Sequence, residues 1–119
     1  MNISMPSLWL RLEGLTLFIG AIALYAHLGF NGWWFLVLLL TPDLTMIGYL
    51  RNPQIGAFTY NLAHNYALPL ALLAITFATT WQTGIMLGLI WVAHISMDRV
   101  VGYGLKYGSN FKDTHLQKL

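Results

Sequence analysis

Charge is scarce in this chain: of 119 residues only 8% are Asp, Glu, Lys or Arg, against 57% hydrophobic. A soluble globular domain carries about 25% charged residues, and a chain so poor in them cannot clothe its surface with polar groups. That excludes an ordinary soluble domain and a disordered tail. The six Lys/Arg and four Asp/Glu leave a net charge of +2 and a pI near 9.1, but the basic residues form no cluster, so nucleic acid is not an expected partner. Cysteine is absent altogether, which excludes disulfides, thiolate metal sites and cysteine nucleophiles. Period-two alternation is also missing from the apolar stretches, so they do not read as barrel strands. There is no internal repeat, and the length allows one small bundle without a second domain.

Long apolar runs are what the chain has, with a mean hydropathy of +0.61. A membrane-spanning helix needs about 20 mostly apolar residues, and four such runs occur, at residues 8–28, 33–50, 56–80 and 84–107, with a polar tail at 108–119. The first has only Arg11 as its basic flank and is long for the core of a cleaved leader, so it is expected to remain as a span. The fold class is therefore all-α, an antiparallel four-helix transmembrane bundle in a single membrane domain, with the lipid bilayer as its main partner. All six basic residues (Arg11, Arg51, Arg99, Lys106, Lys112 and Lys118) fall at one face of this arrangement. By the positive-inside rule that face is cytoplasmic, with both termini inside. Trp9, Trp33, Trp34, Trp81 and Tyr107 sit near span ends as an aromatic belt. Gly84-x-x-x-Gly88 permits close helix approach, within the bundle or between two copies in a homo-oligomer.

The few acids and histidines are not scattered. Glu13, Asp43, His64, His94 and Asp98 come from all four runs, yet at about 1.5 Å of rise per residue they share one slab about 10–15 Å beneath the cytoplasmic surface. His94 and Asp98 are four apart and stack on one helical face, as do Tyr60 and His64, with Asn61 three before His64. A carboxylate turned to lipid costs at least about 2.5 kcal/mol, so these groups are expected to face a common interior pocket. Two imidazoles with carboxylates form a nitrogen and oxygen donor set suited to Zn²⁺, Fe²⁺ or Mn²⁺. Asp43, His64, His94 and Asp98 are the expected ligands. Glu13 is the expected fifth ligand or general base, Arg99 a second catalytic candidate, and Tyr60 and Asn61 support. Pro42 loosens the helix beside Asp43. With an open coordination position such an ion activates water for hydrolysis. The competing readings are a transporter or proton relay, a haem bundle with His64 and His94 as axial ligands, and a structural bundle in which Asp98 and Glu13 merely pair with Arg11 or Arg99. By spacing alone Asp113 and His115 belong to a solvated tail.

Several motifs occur together: Arg11-Leu-Glu-Gly14, Pro42-Asp43-Leu-Thr-Met-Ile-Gly-Tyr49, Tyr60-Asn-Leu-Ala-His64-Asn-Tyr66 with Pro69, Trp91-Val-Ala-His94-Ile-Ser-Met-Asp98-Arg99, Gly102-Tyr-Gly-Leu-Lys-Tyr107 and Phe111-Lys-Asp-Thr-His-Leu116. In this combination, which covers nearly the whole chain, the sequence resembles domain-of-unknown-function family 4260, small bacterial membrane proteins. The resemblance implies a four-span protein of the bacterial inner membrane without an assigned activity. It supports Glu13, Asp43, His64, His94, Asp98 and Arg99 as positions of interest, and it brings Asp113 and His115 in as supporting residues. The layout is also faintly similar to membrane-bound metal-dependent hydrolases.

Overall fold

A computed structural model describes residues 4–44 and 51–101. Every regular element among them is helical: α1 (Met5–His27), α2 (Gly32–Leu38), α3 (Pro53–His64), α4 (Ala67–Ala78) and α5 (Gln82–Val101). Two of these, α1 and α5, are long and apolar enough to cross a membrane. Large side chains such as Trp33, Leu36, Phe58 and Ile75 are exposed on the outside, an exterior suited to an apolar surrounding.

The four prolines set where helices start and stop. Pro6 and Pro53 occupy first turns, where the missing N–H costs nothing. Pro42 and Pro69 act at a distance, because a proline ring collides with the carbonyl four residues earlier. Counting back four from Pro42 gives Leu38, the last residue of α2. The freed Leu38 carbonyl accepts the Thr41 hydroxyl at 2.7 Å, and residues 41–44 form one 3₁₀ turn. The run expected as a helix over 33–50 thus stops early, and residues 45–50 lie outside the described residues. Counting back four from Pro69 gives Asn65, where the expected helix over 56–80 divides into α3 and α4 with an extended backbone at Asn65.

The α3 carbonyls at that division are all hydrogen-bonded. The last four carbonyls of a helix have no partner within it. Here Asn65 Nδ2 donates to those of Asn61 (2.8 Å) and Leu62 (2.9 Å), Trp91 Nε1 donates to that of Ala63, and Arg99 Nη2 donates to that of His64 at 3.2 Å. Asn65 Oδ1 meanwhile accepts the Leu68 N–H at 3.0 Å and starts α4.

Helix α5 is the central element, and both α1 and α4 pack on it. The register is antiparallel throughout. On α1, Gly14 faces Ser96 and Arg99, Ala21 clusters with Val92 and Ala93, and Tyr25 clusters with Ile85 and Leu89. Along the broken α3–α4 rod, Tyr60 meets Asp98, His64 meets His94, and Leu73 and Thr76 lie against Gly88 and Gly84. Both glycines of the Gly84-x-x-x-Gly88 motif are therefore used for close packing within the chain.

Two helices end in a Schellman arrangement. After α1, Gly29 N donates to Ala26 O and Phe30 N to Tyr25 O, with Gly29 at φ 76°, the left-handed conformation glycine suits. After α4, Thr80 N donates to Phe77 O and Trp81 N to Thr76 O, but the left-handed residue is Thr80, at φ 55°. A β-branched side chain there is strained by about 1–2 kcal/mol. Thr80→Gly is expected to raise stability by about 1 kcal/mol, read as a higher midpoint of thermal unfolding in detergent.

Candidate metal centre

Each of the two proline-induced breaks delivers one acidic or imidazole group to the flank of α5. Asp43 sits in the 3₁₀ turn after α2 and His64 is the last residue of α3. His94 and Asp98 project one turn apart from α5. One ligand atom from each of these four residues lies within 4.8 Å of all the others. His64 Nε2 and His94 Nε2 are 2.9 Å apart. Each lies 3.1 Å from Asp43 Oδ1 and 3.4 Å from Asp98 Oδ2. Four arms of about 2.0–2.1 Å in a tetrahedron set their ligand atoms about 3.3 Å apart, so five of the six separations already match a single small ion. The group could hold a metal ion.

The His64 tautomer agrees with ligation at Nε2. His64 Nδ1 lies 2.8 Å from the Tyr60 carbonyl, which can only accept, so the proton sits on Nδ1 and the Nε2 lone pair points into the cluster. His94 Nδ1 is buried without a hydrogen-bond partner; its orientation is set by packing rather than by a second hydrogen bond. Charge points the same way. With both imidazoles neutral, as ligation requires, the two carboxylates leave the cluster at −2, and partly buried charge is costly unless compensated. One divalent cation balances it.

The imidazoles form a sealed floor, their side chains 3% (His64) and 0% (His94) exposed, while Asp98 is 17% and Asp43 32% exposed. Any approach to the centre is from the side of the acids. Tyr60 backs the floor: its ring stacks on His64 at 3.6 Å and 4°, and its hydroxyl donates to Asp98 Oδ2 at 3.3 Å. Tyr60→Phe keeps the stack and removes that bond. It is expected to weaken metal binding about 10–100-fold with helix content unchanged, measured by competition with a chromophoric chelator.

The other residues singled out in the sequence lie elsewhere. Glu13 shares the depth of the cluster but not its face. It is exposed on α1 and, with Gly14, Tyr66 and Arg99, lines a separate cavity of about 220 Å³. Arg99 is buried, holds the His64 carbonyl and lies 5.5 Å from the centre of the Tyr66 ring. It supports the backbone under one ligand rather than joining the four. Asn61 contributes its carbonyl to the cap made by Asn65. Asp113 and His115 lie outside the described residues. Three contributors were not expected: Asn65 as a double cap, Trp91 as a donor to the break, and Tyr66, whose hydroxyl donates to Ser96 Oγ at 3.3 Å. The signal for the first two was Pro69, four residues beyond Asn65.

A family model described as a domain of unknown function (DUF4260) matches residues 7–119. The chain belongs to this family. No curated protein and no solved structure matches it. The DUF4260 match spans all four residues of the cluster together with Tyr60, Asn65, Pro69, Trp91 and Arg99, so the site and the frame that holds it fall within one family domain.

Proposed function

We propose that this DUF4260 protein is a multi-pass protein of the bacterial inner membrane, with both termini cytoplasmic, and that it binds one divalent ion at Asp43, His64, His94 and Asp98. Support for the membrane placement comes from the apolar exterior, the two span-length helices and the gathering of basic residues at one face of the sequence. The observation that carries the metal assignment is the convergence of four donor atoms from three chain segments within 4.8 Å. The mixed imidazole and carboxylate set favours Zn²⁺, Fe²⁺ or Mn²⁺. Bound there, such an ion would polarise a substrate and lower the pKa of a water, which makes hydrolysis of a membrane-proximal substrate the favoured reaction. The exposed acid side is where water and substrate would enter. Glu13, off the cluster's face, and Arg99, beneath His64, would then serve it indirectly.

Elemental analysis of protein purified without added chelator tests this directly. About one first-row ion per chain is expected in the wild type, and near none in His64→Ala, with both proteins monodisperse and equally helical. Metal well below one per chain in the wild type, or equal metal in the variant, overturns the assignment. A proton relay is the second reading, favoured by the 2.9 Å contact between His64 Nε2 and His94 Nε2 flanked by two carboxylates. It predicts proton flux in liposomes that survives exhaustive chelation.

A further inference from the structure

Beside the four-residue centre lies a cavity of about 280 Å³, walled by Leu38, Pro42, Ala63, Leu87, Ile90 and Trp91. Its position is tied to the ligands by the chain itself: Pro42 and Ala63 immediately precede Asp43 and His64, and Ile90 is one turn before His94 on α5. The wall is mainly apolar, with Thr41 its hydroxyl-bearing residue. The indole N–H of Trp91 is already given to the Ala63 carbonyl, and the Thr41 hydroxyl to that of Leu38, so neither calls for a polar guest. Against about 30 Å³ for a water in the liquid, the volume takes several methylene groups in a row. At the inner end Ala63 and Ile90 are buried, whereas Leu87 at the other side is 39% exposed on the apolar exterior of the molecule. The cavity thus meets the apolar exterior at Leu87, and the residues that wall its other side are sequence neighbours of the ligands or lie one turn from them.

We propose that this cavity receives the alkyl chain of an amphiphilic substrate whose polar, metal-binding group sits on the centre. The inference rests on the metal assignment made above and narrows its substrate class to molecules that pair an oxygen-donor head with a linear hydrocarbon tail. The two halves of such a molecule match the two halves of the site. A head needs the imidazole and carboxylate cluster, a tail needs an apolar recess, and the fold places both within two residues of one another on two separate segments. A soluble polar substrate has no use for the recess.

Straight-chain hydroxamates from acetohydroxamate to hexanohydroxamate provide the probe, titrated into cobalt-loaded protein at detergent concentrations just above the micelle threshold and followed by the visible cobalt bands. In the wild type, affinity is expected to rise about two- to fourfold per added methylene. Leu87→Trp, which fills the mouth of the slot from an exposed position, is expected to flatten that rise to less than 1.5-fold per methylene. Ile75→Trp places the same bulk on an exposed position of α4 away from the cavity and is expected to keep the wild-type slope, which separates the slot from partition into the micelle. A protein that binds cobalt and acetohydroxamate but shows no slope, or the same slope in Leu87→Trp as in the wild type, overturns the alkyl slot and leaves the metal centre standing. A protein that takes up no cobalt overturns both.

Discussion

Replacing His94 by alanine is expected to lower divalent-metal affinity by more than a hundredfold. The apparent binding energy of a structural zinc site is about 10–16 kcal/mol, so one of four ligands represents about 3 kcal/mol, or over two powers of ten. His94 is expected at the top of the range because it is the most enclosed of the four, at 0% exposure. Asp43→Ala should cost least, about tenfold, since its 32% exposure lets a water replace the lost oxygen. Competitive titration with a chelator of known affinity ranks the variants, and the order His94→Ala worse than Asp98→Ala worse than Asp43→Ala is the specific expectation. An equal loss in all three would mean that burial does not grade the ligands. The same titration run toward acid should show weakening binding, because protons compete with the ion for both Nε2 atoms.

The second large effect is expected at Gly84. A Cβ there would stand 2.3 Å from Thr76 Cγ2 and 2.6 Å from the Trp81 ring. Neither neighbour can yield easily. Thr76 is fully buried, and its hydroxyl is engaged with the Leu73 carbonyl at 3.2 Å, which selects among the few rotamers a helical threonine has. Trp81 closes the turn between α4 and α5. Gly84→Leu should therefore separate α4 from α5 and destabilise the protein by about 3 kcal/mol, seen as a lower unfolding midpoint in detergent. Gly88→Ala is the milder companion, because its Cβ would meet the ends of the flexible Leu73 side chain at 2.6 Å. If both glycines instead served a contact between copies, these substitutions would change oligomeric state before stability.

Much of the site was legible because depth along an apolar run follows from counting residues. Asp43, His64, His94 and Asp98 could be placed at one level, and i, i+4 spacing put His94 with Asp98 and Tyr60 with His64. What counting does not supply is rotation about the helix axis. Glu13 has the right depth and the wrong azimuth, since Gly14, its neighbour, is the residue of α1 that faces Arg99. The helical division at Asn65 was hidden for another reason. Pro69 lies in the middle of an apolar run whose hydropathy carries straight through, and hydropathy does not register a colliding carbonyl. The glycine pair signalled close approach, but only the contacts of Thr76 and Leu73 identify the partner as α4.

The capping of α3 has a mechanical consequence. Its last two carbonyls are held by side chains of α5, Ala63 by Trp91 and His64 by Arg99. Sliding α3 by one turn along α5 would strand both in apolar surroundings, at a penalty of several kcal/mol each. The rod carrying His64 is thus latched to the helix carrying His94 and Asp98, and three of the four donors form a fixed jaw. Asp43 stands instead on the short 3₁₀ turn that follows α2. Any opening of this centre that leaves the latch closed therefore moves Asp43 relative to the other three donors.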